Sequence, residues 1–143
     1  MFLPKHCKWA EMIDLTTLTI LIVDDQEFVR TIVKSMLGQL GITSTLEAAD
    51  GTEALTVVAD HKPDAVICDI QMRPTDGFGF VKQLRQTKGI SDIPVIMLTA
   101  HTDSATTDKA HGLNIDAFIS KPVLPTTLAQ TITRVLTRRV VIG

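Results

Sequence analysis

Five short runs rich in β-branched or other apolar residues, at 19–23, 44–48, 65–68, 95–98 and 117–119, alternate along the chain with segments whose apolar residues recur at helical spacing. This alternation constrains the fold more than any other feature. Strands buried on both faces read as continuous apolar runs, and consecutive parallel strands need a helical crossover, which is right-handed in nearly all cases. The pattern predicts an α/β doubly wound (βα)5 domain, a five-stranded parallel sheet of order 2-1-3-4-5 with helices on both faces.

The helical segments carry their own punctuation. Over 27–40, Val29, Ile32, Val33, Met36, Leu37 and Leu40 share one stripe, and Gly41 stands where a left-handed stop is needed. A second helix is expected over 52–61 with Ala54, Leu55 and Val58 inward, ended by Pro63. A third runs over 77–86 through Val81 and Leu84, a weaker fourth over 104–111, and a fifth from Pro125 with the stripe Leu128, Ile132, Val135 and Leu136.

With 143 residues, 45% of them hydrophobic and 21% charged, the chain is expected to form one self-sufficient domain over 18–139. Residues 1–17 form an N-terminal extension in which Trp9, Met12 and Ile13 have amphipathic spacing, and 140–143 form a tail. The net charge of −2 gives no electrostatic case for nucleic acid, and Arg134, Arg138 and Arg139 suit the negative end of the last helix. Cys7 and Cys68 occur in unlike contexts without metal spacing, so neither a disulfide nor a zinc site is expected. No apolar stretch reaches the roughly 20 residues of a spanning helix and no secretory segment opens the chain, so a cytoplasmic protein without membrane insertion is expected.

Chemistry concentrates at the strand ends, where open parallel sheets place their ligands. Asp24 and Asp25 follow the first strand, Asp69 the third, Thr99 the fourth and Lys121 the fifth. In the order 2-1-3-4-5 the first and third strands are neighbours about 4.8 Å apart, which puts three carboxylates in one crevice. Such crowding is costly without a cation, and Mg²⁺ fits best because it takes one or two carboxylates and keeps waters and a phosphate oxygen. Phosphoryl transfer asks a protein for little beyond a nucleophile, cations and a hydrogen-bond donor. Asp69 can be that nucleophile, Lys121 the cation and Thr99 the donor.

The segments LIVDD ending at Asp25, PDAVICDI around Asp69, DG at Asp76-Gly77, PVIMLTA around Thr99 and DAFISKP ending at Pro122 resemble those of bacterial two-component response-regulator receiver domains. The resemblance covers about residues 18 to 139 and implies a flavodoxin-like fold. It also implies that Asp25 and Asp69 hold Mg²⁺ directly, Asp24 directly or through water, and Gln71 through its backbone carbonyl. Thr99 and Phe118 would form the switch pair, Lys121 would contact the phosphoryl, and Lys121-Pro122 would be a cis peptide. One departure is Arg73, at a position often occupied by proline; it and the rim residues Gln71 and His101 are candidates for tuning the site.

The function expected is that of a stand-alone, chemotaxis-receiver-like signalling domain, not an enzyme. Asp69 would accept a phosphoryl group from a sensor histidine kinase or histidine phosphotransfer protein. The face of the fourth helix, fifth strand and fifth helix would then bind a downstream protein differently, as a monomer or a phosphorylation-dependent dimer. A phosphate sink or phosphorelay intermediate is the alternative within the class. A haloacid-dehalogenase-like phosphatase would need a second aspartate where Gln71 stands, and a dinucleotide module would need glycines where Asp24-Asp25-Gln26-Glu27 stand. Substituting Gln71 and His101 together is expected to change the dephosphorylation rate with little change in Mg²⁺ affinity. Equal phosphoryl half-lives in the two proteins would remove that role.

Overall fold

A computed structural model describes residues 14–72, 76–100 and 112–142. The expected fourth helix over 104–111, the spacing of Trp9, Met12 and Ile13, and Arg73 and His101 lie outside the described residues.

Five parallel strands, β1 (Thr19–Val23), β2 (Ser44–Ala48), β3 (Ala65–Asp69), β4 (Val95–Thr99) and β5 (Ala117–Ser120), form one sheet in the order β2-β1-β3-β4-β5. This is the expected flavodoxin-like topology. β3, β4 and β5 each run one residue further than their apolar runs, so Asp69 and Thr99 are the last residues of strands rather than the first after them. The extra residue is polar and therefore invisible to a hydrophobic pattern, yet the parallel ladder pairs Asp69 with Leu98 and Thr99 with Ser120.

Side chains alternate across the sheet and divide the core in two. On one face Ile20, Ile22, Ile67, Ile96, Leu98 and Ile119 pack against α1 (Glu27–Gln39) and the C-terminal helix (Pro125–Ile142) through Val33, Leu37, Leu128, Ile132 and Val135. On the other, Leu21, Val23, Val66, Cys68, Val95 and Met97 meet Ala54 and Val58 of α2 (Gly51–His61) and Phe80, Val81 and Leu84 of α3 (Gly77–Arg85). Only edge strand β2 is largely uncovered, with Ser44 and Glu47 exposed.

Local chemistry sets the helix bounds. Gly41 adopts φ +91, Ile42 N–H donates to the Leu37 carbonyl at 2.9 Å and Gly41 N–H to Gly38 at 3.1 Å, a glycine-terminated helix end. Asp50 accepts from Glu53 N–H at 2.8 Å, which starts α2 at Gly51, and Lys62 in the left-handed region ends it before Pro63. Ile32, expected on the inward stripe, is 49% exposed: Val33 and Leu37 face the sheet and leave Ile32 on the outer flank of α1. The C-terminal helix continues to Ile142, past the expected boundary at 139. Among the described residues no helix is long and apolar enough to cross a membrane.

Arg85, at the end of α3, braces the sheet edge that carries the N-terminal ends of β4 and β5. Its guanidinium donates to the carbonyls of Ser91, Ile93, Leu113 and Asn114 and to Asp116 Oδ2, which also accepts from Val95 N–H at 2.8 Å. At the opposite edge α3 begins in very close contact with β3. Gly77 N–H donates to the Ile70 carbonyl at 2.8 Å, and a Cβ there would lie 2.5 Å from the Asp69 carbonyl oxygen and 2.6 Å from Met97 Cε.

Two glycine-to-alanine changes should therefore have opposite signs in urea denaturation. Gly38→Ala, in α1 with nothing within 4 Å of the new Cβ, should stabilise by a few tenths to about 1 kcal/mol. Gly77→Ala should destabilise by about 1–3 kcal/mol because the backbone at Asp69 and Ile70 must move. An unchanged midpoint for Gly77→Ala would contradict the tight packing of α3 on β3.

Candidate metal and phosphoryl site

The C-terminal edge of the sheet gathers the polar residues that the apolar strands leave over. β1 lies between β2 and β3, with Val23 opposite Cys68, so the next residues of the two strands, Asp24 and Asp69, come side by side. Asp24 N–H extends the ladder to the Ala48 carbonyl at 3.1 Å, and Asp24 Oδ1 accepts from Gln26 N–H at 2.9 Å as the chain turns into α1. Asp24 and Asp69 are 2% and 6% exposed, whereas Asp25 is exposed at the mouth.

One carboxylate oxygen from each of Asp24, Asp25 and Asp69 lies within 4.8 Å of the others. The Lys121 ammonium donates to Asp69 Oδ1 at 3.0 Å, and Gln71 N–H approaches the same oxygen at 3.4 Å. Among the described residues one ammonium thus faces three carboxylates. Asp24 is pushed up to about 6, first by burial and then by the negative charges of Asp69 and Asp25, against the Gln26 hydrogen bond and the Lys121 charge. Its Oδ2 is buried without a hydrogen-bond partner among the described residues.

That orphaned oxygen, beside two more hard oxygen donors, is what a divalent cation would satisfy. With these oxygens within 4.8 Å of one another, the three carboxylates could hold one Mg²⁺ after side-chain adjustment or with a bridging water. The donor set contains no sulfur. Burial, then the charges of Asp69, Asp24 and Asp76, push the Cys68 thiol up, so it stays protonated inside the strand.

Thr99, at the end of β4, is 4% exposed, and its carbonyl accepts from Lys121 N–H at 2.8 Å, tying the lysine backbone to the threonine. The Lys121-Pro122 peptide is cis. In the β4–β5 register Phe118 pairs with Met97 and Ser120 with Thr99, which places half-buried Phe118 one pleat from Thr99 on the same sheet face. Gln71 is exposed on the rim next to buried Met72.

Two supporting roles escape a reading by motif. Gly77 was legible as part of DG, but its need for a missing Cβ against Asp69 arises only in three dimensions. Arg30 donates from Nη1 to the Asp24 carbonyl at 2.6 Å and from Nε to Glu47 Oε1 at 3.0 Å. The only sequence signal for it is an arginine in the first turn after paired aspartates.

Residues 20–133 match the response regulator receiver domain family. The chain is 40% identical over 129 residues to the probable transcriptional regulator ycf27 of Guillardia theta, a match that covers 88% of this chain and 48% of that protein. It thus spans about half the length of the ycf27 relatives it matches. It is 33% identical over 119 residues to the chemotaxis protein CheY-3 of Vibrio cholerae, covering 83% of this chain and 92% of that protein. Among solved structures, Vibrio cholerae CheY4 superposes with a TM-score of 0.78 at 32% identity, covering 82% and 98% of the two chains. A response regulator from Chloroflexus aurantiacus gives 0.79 at 31% identity, covering 85% and 98%.

Burial of Asp24 makes the metal-free fold pH-dependent. Because its folded value lies above the 3.8 of an ordinary aspartate, the folded state keeps a proton that the unfolded chain has released. The stabilisation is complete below 3.8 and is lost as pH rises through about 6. Between about pH 5 and about pH 7.5, metal-free protein should lose on the order of 1 kcal/mol from this group in urea denaturation. Asp24→Asn or saturating Mg²⁺ should flatten the profile. A flat wild-type profile without metal would show that Asp24 is ionised throughout.

Proposed function

We propose that this chain, which belongs to the response regulator receiver domain family, accepts a phosphoryl group on Asp69 from a phosphohistidine of a sensor kinase or phosphotransfer protein. The observation that carries this reading is the charge arrangement at the sheet edge. A nearly buried carboxylate with an ammonium 3.0 Å away is crowded by two further carboxylates, one of which has an oxygen lacking any hydrogen bond among the described residues.

In the transfer, a carboxylate oxygen of Asp69 forms the new O–P bond as the N–P bond of the donor imidazole breaks. The electron pair returns to the imidazole nitrogen, and the product on the protein is an acyl phosphate. A carboxylate nucleophile needs no general base, and burial of Asp69 beside Lys121 would fix its direction of attack. Lys121 shifts from the carboxylate toward the incoming phosphoryl oxygens, and the Thr99 hydroxyl donates to one of them. Mg²⁺ held by Asp24, Asp25, Asp69 and the Gln71 carbonyl would offset the remaining charge on those oxygens.

The same geometry supports a route to signalling output. Thr99 turning toward the phosphoryl frees space on the sheet face it shares with Phe118, and inward rotation of the ring changes the surface around β5 and the C-terminal helix. That surface would bind a downstream protein in one state and not the other. We take the receiver unit to begin at residue 18 and to close with the C-terminal helix.

Intact-mass measurement after treatment with a small phosphodonor and Mg²⁺ tests the assignment. Wild type is expected to gain one base-labile phosphoryl group and Asp69→Asn none. The same adduct on both, or none on wild type, would sink it. A long-lived adduct supports the switch, and one lost within seconds supports a sink or relay.

A further inference from the structure

The paired aspartates differ from Asp69 in a way that matters for metal binding. Asp69 ends a central strand and is paired with Leu98 of β4, whereas Asp24 and Asp25 lie in the turn between β1 and α1. Three charges that repel one another would push such a turn open in the absence of a cation. The turn is nevertheless held at three points.

Asp24 N–H donates to Ala48 on β2 at 3.1 Å, and Asp24 Oδ1 accepts from Gln26 N–H at 2.9 Å. The third point is the Asp24 carbonyl, which receives Arg30 Nη1 at 2.6 Å. The same guanidinium donates from Nε to Glu47 Oε1 at 3.0 Å, and the arginine side chain is only 15% exposed. Glu47 is anchored on β2, in register with Ile22 of β1, and its other oxygen lies 4.0 Å from Lys34 Nζ.

We propose that Arg30 is a positioning residue for the metal site: its guanidinium spans from Glu47 on β2 to the Asp24 carbonyl and locks the peptide plane that joins Asp24 to Asp25. Because a peptide unit is rigid, its orientation sets ψ of the first residue and φ of the second. One hydrogen bond to that carbonyl therefore aims both carboxylates. The planar fork is suited to the task. It holds a carboxylate and a carbonyl at fixed separation, whereas an ammonium is a point charge on a flexible stem. The inference rests on the reading of Asp24, Asp25 and Asp69 as a Mg²⁺ site.

Positioning and simple electrostatics predict opposite signs. If Arg30 acted only as a nearby cation, removing it would deepen the negative potential and tighten Mg²⁺. If it positions the turn, removing it loosens Mg²⁺ although a competing positive charge is gone.

The test is calorimetric Mg²⁺ titration of the full chain at fixed pH and salt, with urea midpoints recorded so that only folded proteins are compared. Arg30→Met and Arg30→Lys are each expected to weaken Mg²⁺ about tenfold, as for loss of an outer-shell support. Glu47→Gln, which retains an acceptor for Nε, should have a much smaller effect. Should Arg30→Met not fold, Arg30→Lys decides, since it keeps the charge and loses only the fork. Mg²⁺ affinity unchanged or tighter in the folded arginine variants overturns the inference. A wild type that takes up no Mg²⁺ overturns the metal reading itself, whereas a binding wild type with variants that bind alike removes only the role of Arg30.

Discussion

Asp24, Asp25 and Asp69 stand with oxygens within 4.8 Å of one another at the edge of a sheet whose own packing keeps them there. Their mutual repulsion is the force that the surrounding structure has to withstand. Burial worsens it for Asp24, whose carboxyl is pushed up to about 6 and whose Oδ2 has no hydrogen-bond partner among the described residues. Among the described residues a single ammonium on Asp69 offsets only part of it. The pocket thus concentrates negative charge on a packed frame, and in the proposed function a divalent cation and then a phosphoryl group would bind there without rebuilding the protein.

Resistance to that repulsion comes from the apolar frame beneath. β1 and β3 are buried on both faces, so moving Asp69 away from Asp24 would separate two strands paired through four residues on each side. Gly77 lets α3 press against the Asp69 backbone, and Arg30 ties the Asp24 carbonyl to β2. At the far edge, the satisfied hydrogen bonds of Arg85 fix the chain entering β4 and β5. One edge of the sheet is anchored by neutralised charge, and the other carries unneutralised charge. In the proposed function only the second edge responds to phosphorylation.

Thr99 and Phe118 connect that edge to the outer surface through strand register. Neither is unusual in itself, since a buried threonine at a strand end and a half-buried phenylalanine are ordinary parts of a sheet. Their pairing through Met97 and Ser120 puts them on one face, the arrangement through which, in the proposed function, a local hydroxyl movement would become a change of packing. Arg73 and His101, singled out on sequence grounds, lie outside the described residues and add nothing to this picture.

The sequence by itself determined the layered fold, because strands buried on two faces must be continuously apolar and crossover helices must carry a stripe; both are patterns in one dimension. Strand order, Asp69, the paired aspartates, Thr99 and Lys121 were legible too, since polar residues that interrupt such runs fall at the edge where parallel sheets place their ligands. Hydrophobic pattern could not show that Asp69 and Thr99 belong to the strands, that Ile32 faces outward, or that Gly77 is required by contact with Asp69. Nor could it show Arg30 reaching from α1 to Glu47, seventeen residues away, with the Asp24 carbonyl held between. These features depend on distances between elements remote in the chain, and only the packed structure sets those distances.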